Sequence, residues 1–143
     1  SDGYLRFLVE ELKPFVDARY RTFPRQGQTL VMGSSMGGLI SLYAACKYPE
    51  IFGGAGCLST HWPAGGQRLV KAMGEMLPRA GQHKLYFDYG TTTLDASYEK
   101  YQKVMDQWLI KAGYSDKVDW LTRKFEGHEH SERAWRARVD LPL

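Results

Sequence analysis

Ser35 is the residue of this sequence whose setting most clearly favours chemistry. It lies in Gly33-Ser34-Ser35-Met36-Gly37, a G-x-S-x-G pattern between the apolar run 29–32 and a helix-like run at 39–47. A strand that turns abruptly into a helix strains its corner residue and presents that side chain at the carboxyl edge of a sheet. There a base can reach the hydroxyl, and the helix amino terminus faces developing negative charge. The context therefore predicts that Ser35 is a nucleophile.

The glycines on either side are expected to make this corner possible, because Gly33 and Gly37 leave room around the strained serine. Other interpretations of the pattern exist, since a glycine-rich turn between strand and helix can be a plain tight connection or a phosphate cradle. The Lys-Ser/Thr pair of a phosphate loop does not follow here. We therefore favour the catalytic interpretation, which requires a base and an acid elsewhere.

The predicted base is His130. A serine hydroxyl is a poor nucleophile until an imidazole takes its proton, and that imidazole needs a carboxylate to fix its tautomer. His83 precedes a predicted strand, at the wrong end of the sheet, and His61 comes too early for a Ser, acid, His order. His130 follows the last predicted strand, and an amphipathic helix comes directly after it. Its neighbour His128 is interpreted as supporting or incidental.

His128 and His130 allow a second interpretation, as ligands of a metal ion. His128 and His130 could form a metal pair, but no third ligand at a recognisable spacing supports it. We therefore predict no metal and no cofactor.

Two aspartates bracket the segment after the third predicted strand, Asp88 at the end of the strand and Asp95 in the loop beyond it. Loop residues past a strand reach a histidine more easily, so Asp95 is favoured as the acid over Asp88. Asp95 could also cap the following helix, because Asp is among the best capping residues. The two roles can coexist.

Hydrophobic periodicity predicts the elements that position these residues. The predicted order begins with a helix at 3–18 that kinks or starts a new turn at Pro14 and has one apolar face, made of Tyr4, Phe7, Leu8, Leu12, Phe15 and Val16. After it come a strand at 29–33, a helix to about Tyr48, a strand at 54–59, a helix with Leu69, Met73, Met76 and Leu77 on one face, and a strand at 84–88. Last come a helix at 98–112, an edge strand at 118–125, whose Asp119, Arg123 and Lys124 suit an edge that must resist pairing, and a helix at 131–139. This alternation predicts an α/β fold, a parallel sheet of about four strands with helices on both faces. In such sheets active residues gather beyond the carboxyl ends of the strands.

Length and charge narrow the class of protein. A chain of 143 residues suits a single domain, residues 1–143, and no apolar run approaches the roughly 20 residues of a membrane helix. The net charge of +3 is scattered and forms no basic stripe. We expect a soluble protein without nucleic-acid or membrane partners, whose compartment stays open with the cytoplasm slightly favoured.

Cys46 and Cys57 each have small apolar neighbours, which favours two buried free thiols, although a disulfide stays possible. The chain begins at Ser1 and opens directly on a helix. That start predicts a processed, excised or partial chain.

Three segments carry a resemblance to a known family: Gly33 to Ser41, Tyr86 to Thr91 with Leu94-Asp95, and Phe125 to Glu132. Through them the sequence resembles the α/β-hydrolase fold and, within it, the putative-esterase family, which includes esterase D-like, enterochelin esterase-like and feruloyl esterase-like proteins. The resemblance implies that Ser35, Asp95 and His130 are nucleophile, acid and base, and that the amide of Met36 is one oxyanion donor. It also implies esters of carboxylic acids as substrates.

The resemblance covers only the carboxyl-terminal half of the family's fold. The strands before the nucleophile strand, and the loop that supplies the second oxyanion amide, are expected to be absent. The nucleophile strand then becomes an apolar edge, which predicts a two-fold homodimer made by pairing the strands at 29–32 or by packing the opening helix across the axis. The rival expectation is an upstream segment that was cut away.

These observations predict a small serine carboxylesterase that hydrolyses a small ester through an acyl-enzyme. A short acyl group is expected, because half a fold leaves little volume for a deep pocket. Trp62, in a loop, is a candidate for the pocket wall, with packing as its alternative role. An acyltransferase and a non-catalytic interaction module with a decayed site remain the alternative functions.

Overall fold

A four-stranded parallel sheet forms the centre of the protein, in a computed structural model that describes residues 1–142. The strands are β1 (Leu30–Ser34), β2 (Gly54–Leu58), β3 (Lys84–Gly90) and β4 (Trp120–Phe125). They lie in the order β1-β2-β3-β4, and each pairs in parallel with the next. Parallel neighbours need crossover connections, which the helices supply. The predicted α/β fold is confirmed; the last residue of the predicted domain, Leu143, lies outside the described residues.

The helices alternate with these strands as predicted. They are α1 (Asp2–Arg6), a π-helical segment (Phe7–Leu12), α2 (Lys13–Arg19), α3 (Met36–Lys47), α4 (Gly66–Glu75), α5 (Glu99–Lys111) and α6 (Glu132–Arg136). Three short 3-10 turns, at Gln26–Gln28, Trp62–Ala64 and Thr93–Ser97, complete the connections. No helix within residues 1–142 has both the length and the apolar character needed to cross a bilayer.

The opening helix is continuous but changes its winding before Pro14. A proline lacks the N–H of a helix residue, and its ring clashes with the carbonyl four positions earlier. The wider π-helical turn at Phe7–Leu12 gives that ring room, and regular α-helix resumes at Lys13. The predicted new turn at Pro14 is therefore present.

The apolar face predicted for this opening helix is wrong in its register. Leu5 is fully buried, while Leu8 and Val9 are partly buried against the core. Four apolar side chains of the predicted face are instead exposed, namely Tyr4, Phe7, Leu12 and Phe15. The change of winding alters which side chains share a face, and a regular helical period cannot anticipate it.

The core lies between the sheet and α3, α4 and α5. Its buried strand residues include Ala55, Cys57, Leu85 and Phe87. Small residues let α3 lie close to the sheet: a Cβ atom added at Gly38 would be 3.2 Å from the carbonyl oxygen of Leu58. Cys57 is buried, Cys46 is half-buried, and both are free thiols.

The opposite face of the sheet is covered unevenly. At the carboxyl ends of the strands, the chain after α6 covers this face through Arg138, which lies over the Phe125 ring and pairs with Asp88. Towards the other end is a groove of about 470 Å³, whose lining includes Leu30, Met32, Gly56, Tyr86 and Leu121. Helices therefore flank both faces as predicted, but the second face has only a short one.

Both outer strands are edges. β1 leaves Leu30 51% and Met32 38% exposed, so the strand that precedes Ser35 is an apolar edge as predicted. β4 is the other edge, but it begins at Trp120 and not at Val118. Asp119, predicted to guard that edge, is buried and accepts hydrogen bonds from the amides of Ser115 and Gly81. Asp119 therefore stabilises the turns at Ser115 and Gly81, because a carboxylate readily accepts hydrogen bonds from free backbone amides.

Candidate active site

Ser35 lies at the corner between β1 and α3 in a conformation rare for a residue with a side chain, φ 57° and ψ −119°. Such backbone strain costs on the order of 1–3 kcal/mol and persists only where neighbouring structure imposes it. Two hydrogen bonds to the adjacent strand and loop impose it here. The Ser35 amide donates to the carbonyl of Leu58 at 2.8 Å, and the amide of His61 donates to the Ser35 carbonyl at 3.2 Å.

The two glycines of the motif have different roles. A Cβ atom at Gly33 would lie 2.6 to 2.9 Å from backbone atoms of Gly37, so the strand and helix approach too closely for any side chain there. A Cβ atom at Gly37 would meet nothing within 4 Å. The prediction that both glycines provide room holds for Gly33 and is wrong for Gly37.

Met36 directly follows Ser35 as the first residue of α3. The amides of the first helical turn have no partner within the helix, and they carry the positive end of the helix dipole. The Met36 amide is thus a free donor beside the serine, and the side chain of Met36 is 56% exposed.

His130 joins Ser35 to Asp95, as the sequence predicts. Its Nδ1 lies 2.6 Å from Oδ1 of Asp95, and its Nε2 lies 2.9 Å from Oγ of Ser35. Because an ionised carboxylate only accepts hydrogen bonds, Nδ1 carries the proton and Nε2 accepts from the serine. The Trp135 ring packs edge-on against the imidazole, with 4.9 Å between centroids. Both ring nitrogens of His130 therefore have partners. The neighbouring His128 has a different partner: its Nδ1 lies 3.3 Å from Nη1 of Arg138.

Asp95 is buried, and its second oxygen is also engaged. Oδ2 accepts from the hydroxyl of Ser59 and from the amide of Gly90, both at 2.6 Å. The residue lies in the Thr93–Ser97 turn, and α5 begins only at Glu99 without a side-chain cap. The suggested capping role of Asp95 is therefore wrong, because both of its oxygens face inward.

Asp88 is buried nearby and has different partners. It accepts from the Ser59 amide at 3.1 Å and pairs with Arg138 at 3.0 Å. Burial raises the pKa of Asp88, while the guanidinium of Arg138 opposes that rise. Of the two aspartates, only Asp95 contacts the imidazole of His130.

The loops that carry the acid and the base are tied to each other. The His130 amide donates to Oγ1 of Thr93 at 2.8 Å, and the Gly127 amide donates to Oγ1 of Thr91 at 2.8 Å. The amides of Thr91 and Thr92 both donate to the carbonyl of His128. These bonds explain why a polar threonine run follows β3.

Several residues of the site carried no recognisable sequence signal. Ser59, Trp135 and Arg138 form a hydrogen-bonded cluster behind Asp95. His61, set aside as a base, lies beside the site with its ring centroid 6.3 Å from that of His130. Its Nδ1 is 2.5 Å from the Tyr98 hydroxyl, whose pKa is raised by burial, so this hydroxyl stays a donor. Of these, only His61 could have been noticed, because it is a histidine in the loop after β2.

Trp62 does not line this site, so its prediction as a pocket wall is wrong. The side chain is 1% exposed and stacks on Phe87 in the core, with 6.4 Å between ring centroids. Its indole nitrogen donates to Oε1 of Gln102 at 3.1 Å. A buried tryptophan with its N–H satisfied is a packing residue.

This arrangement has the parts that acyl transfer requires. An imidazole accepts from a strained serine hydroxyl, a carboxylate fixes the imidazole tautomer, and a free helix amide stands next to the serine. Such a set can activate an oxygen nucleophile and stabilise a developing oxyanion.

Comparison with solved structures shows the same fold. The enterobactin esterase FES from Shigella flexneri matches with a TM-score of 0.79 and 24% identity, covering 99% of this chain and 37% of that chain. An IroE-like serine hydrolase from Shewanella oneidensis matches with a TM-score of 0.76 and 17% identity, covering 96% of this chain and 45% of that chain. The chain thus spans less than half the length of either protein.

A curated relative and a family model also match the chain. YjcH, an uncharacterized protein of Bacillus subtilis (strain 168), is 45% identical over 52 residues, which is 36% of this chain and 21% of YjcH. The model of the Esterase family, described as "Putative esterase", matches residues 1–140. That match extends over nearly the whole sequence, and the chain belongs to the Esterase family.

Proposed function

We propose that this chain is a serine carboxylesterase that cleaves small esters through an acyl-enzyme. The observation that carries the proposal is the unbroken hydrogen-bonded series from Ser35 through His130 to Asp95, centred on a strained serine. Membership of the Esterase family supports the class of reaction. The proposed roles are nucleophile for Ser35, base and acid for His130, and orienting carboxylate for Asp95.

The reaction would proceed in two half-reactions. Oγ of Ser35 attacks the ester carbonyl while Nε2 of His130 takes the hydroxyl proton, and the amide of Met36 donates to the oxyanion. When the tetrahedral intermediate collapses, the imidazolium returns that proton to the departing alkoxide, which leaves as an alcohol. Water then attacks the acyl-serine while His130 again acts as the base, which releases the carboxylic acid product and regenerates Ser35. Asp95 keeps the proton on Nδ1 throughout.

Covalent labelling tests the nucleophile without knowledge of the natural substrate. We expect a fluorophosphonate to add once to the protein, at Ser35, as read from intact mass and peptide mapping. Ser35→Ala should abolish the adduct, and Ser34→Ala should retain it, because only the corner hydroxyl contacts His130. An adduct that survives in Ser35→Ala would contradict the proposed nucleophile.

Turnover tests the proposed substrate class. We expect hydrolysis of p-nitrophenyl acetate and butyrate by the unaltered protein, and loss of at least about 10³-fold in kcat for Ser35→Ala. Equal rates in both proteins would favour the non-catalytic module. Ester products formed from added alcohols, in place of free acid, would identify an acyltransferase.

A further inference from the structure

We propose that Ser59 is a positioning residue for Asp95, which it links to a buried ion pair between Arg138 and Asp88. This inference rests on the proposed function, since it concerns the acid of that site. Ser59 lies just after β2 and is fully buried. Its φ of 43° is unusual for a residue with a side chain, and its amide is held by Asp88.

The direction of the Ser59 hydrogen bonds follows from its neighbours. Nε1 of Trp135 lies 3.0 Å from the hydroxyl oxygen, and Nη2 of Arg138 lies 2.8 Å from it. Indole and guanidinium nitrogens can only donate, so the Ser59 oxygen accepts from both. Its single proton is then left for Oδ2 of Asp95, at 2.6 Å. The serine therefore has one orientation, with its donor aimed at the carboxylate.

That bond determines which Asp95 oxygen remains for the imidazole. Oδ2 is taken by Ser59 and by the amide of Gly90, which leaves Oδ1 for Nδ1 of His130. Without the hydroxyl, Oδ2 keeps one donor, and the carboxylate gains freedom to rotate away from His130. Misplaced catalytic groups lose rate even when all of them are present.

The ion pair between Arg138 and Asp88, next to Ser59, also affects the charge around Asp95. Arg138 is 1% exposed and donates through Nε to Asp88 at 3.1 Å, while its Nη2 lies 3.9 Å from Oδ2 of Asp95. One buried cation thus lies between two buried carboxylates. With both ionised, this cluster has one negative charge in excess, which the imidazolium formed during the reaction would neutralise.

The test is Ser59→Ala, with Ser41→Ala as the matched control. Ser41 is equally buried, but its hydroxyl donates only to the carbonyl of Gly37 in its own helix. We expect Ser59→Ala to lower kcat for p-nitrophenyl acetate on the order of 10-fold with KM unchanged, as for loss of a hydrogen bond to a charged group. Ser41→Ala should leave kcat unchanged. Thermal unfolding of both variants checks that each is folded.

A double variant separates positioning from general structural damage. If Ser59 acts through Asp95, the Ser59→Ala change should have no further effect on kcat in an Asp95→Ala background. An undiminished 10-fold effect in that background would overturn the proposal.

Nitrogen shifts of the His130 ring give a readout that needs no turnover. In the unaltered protein Nδ1 should carry the proton, and Ser59→Ala should move population to the Nε2–H tautomer, while Ser41→Ala should not. An unchanged tautomer in Ser59→Ala would overturn the inference whether or not the protein hydrolyses esters. Absence of fluorophosphonate labelling in the unaltered protein would instead overturn the proposed function.

Discussion

The serine hydroxyls of this protein differ in the partners that surround them. Ser35, Ser41 and Ser59 all contribute hydroxyls to buried or half-buried hydrogen bonds, yet only Ser35 faces an imidazole. The motif around Ser35 predicts that contact, because a strand-to-helix corner has a recognisable local sequence. Ser59 has no such signal: its partners Asp95 and Arg138 lie 36 and 79 positions away. Only the folded structure brings them together.

The two cysteine thiols are expected to be unreactive in the folded protein. Burial raises the pKa of the Cys46 thiol to about 12 and raises that of Cys57 well above its usual range. The thiolate is the reactive form, so its fraction near neutral pH falls as the pKa rises. We expect neither thiol to react with Ellman's reagent in the native protein, and both to react in guanidinium chloride. Rapid reaction of the native protein would contradict this burial.

The hydrophobic period and the turn residues were sufficient to predict four strands and the helices between them. The π-helical segment Phe7–Leu12 was not predictable in this way, because its winding departs from the regular helical period just before Pro14. The prediction for Trp62 was wrong for a similar reason: an aromatic side chain in a loop can pack into the core, and its partner Gln102 lies 40 positions away.

The close approach of backbone at the corner between β1 and α3 can be tested by substitution. Gly33→Ala should lower the free energy of unfolding by about 1–3 kcal/mol, because the new methyl overlaps the backbone of Gly37. Gly37→Ala is the matched control, since its methyl meets nothing within 4 Å and alanine favours the helix by roughly 0.5–1 kcal/mol. Urea unfolding measures both. Equal destabilisation by the two substitutions would contradict the close approach at Gly33.

Two groups of exposed apolar side chains lie where the sequence predicts contact with a second copy. One is the β1 edge, where Leu30 and Met32 are exposed. The other is the opening helix, where Phe7 and Phe15 are 43% and 48% exposed. An edge strand offers unpaired amides and carbonyls that another strand can meet. Across a two-fold axis, a second copy offers the same groups in return.

We therefore predict a homodimer, measured by size-exclusion chromatography with light scattering. Leu30→Lys should dissociate a dimer made by pairing β1 strands, whereas Phe7→Glu should dissociate one made through the opening helix. Ile110→Lys is the control, because Ile110 is 63% exposed on α5, away from both surfaces. A monomer that persists at high concentration would contradict the prediction.

The hydrogen bonds between the Thr91–Thr93 segment and the Gly127–His130 loop bear on how the proposed activity could be lost. Besides the direct contact between Asp95 and His130, the two loops share hydrogen bonds from backbone amides of both, whereas the side chain of Ser35 meets His130 through one hydrogen bond of 2.9 Å. The proposed site is therefore made of two parts, the paired loops that hold Asp95 and His130 and the β1–α3 corner that holds Ser35. A displacement of the β1–α3 corner would separate Ser35 from His130 and stop the proposed reaction while the two loops stayed paired, so inactivation would not require unfolding.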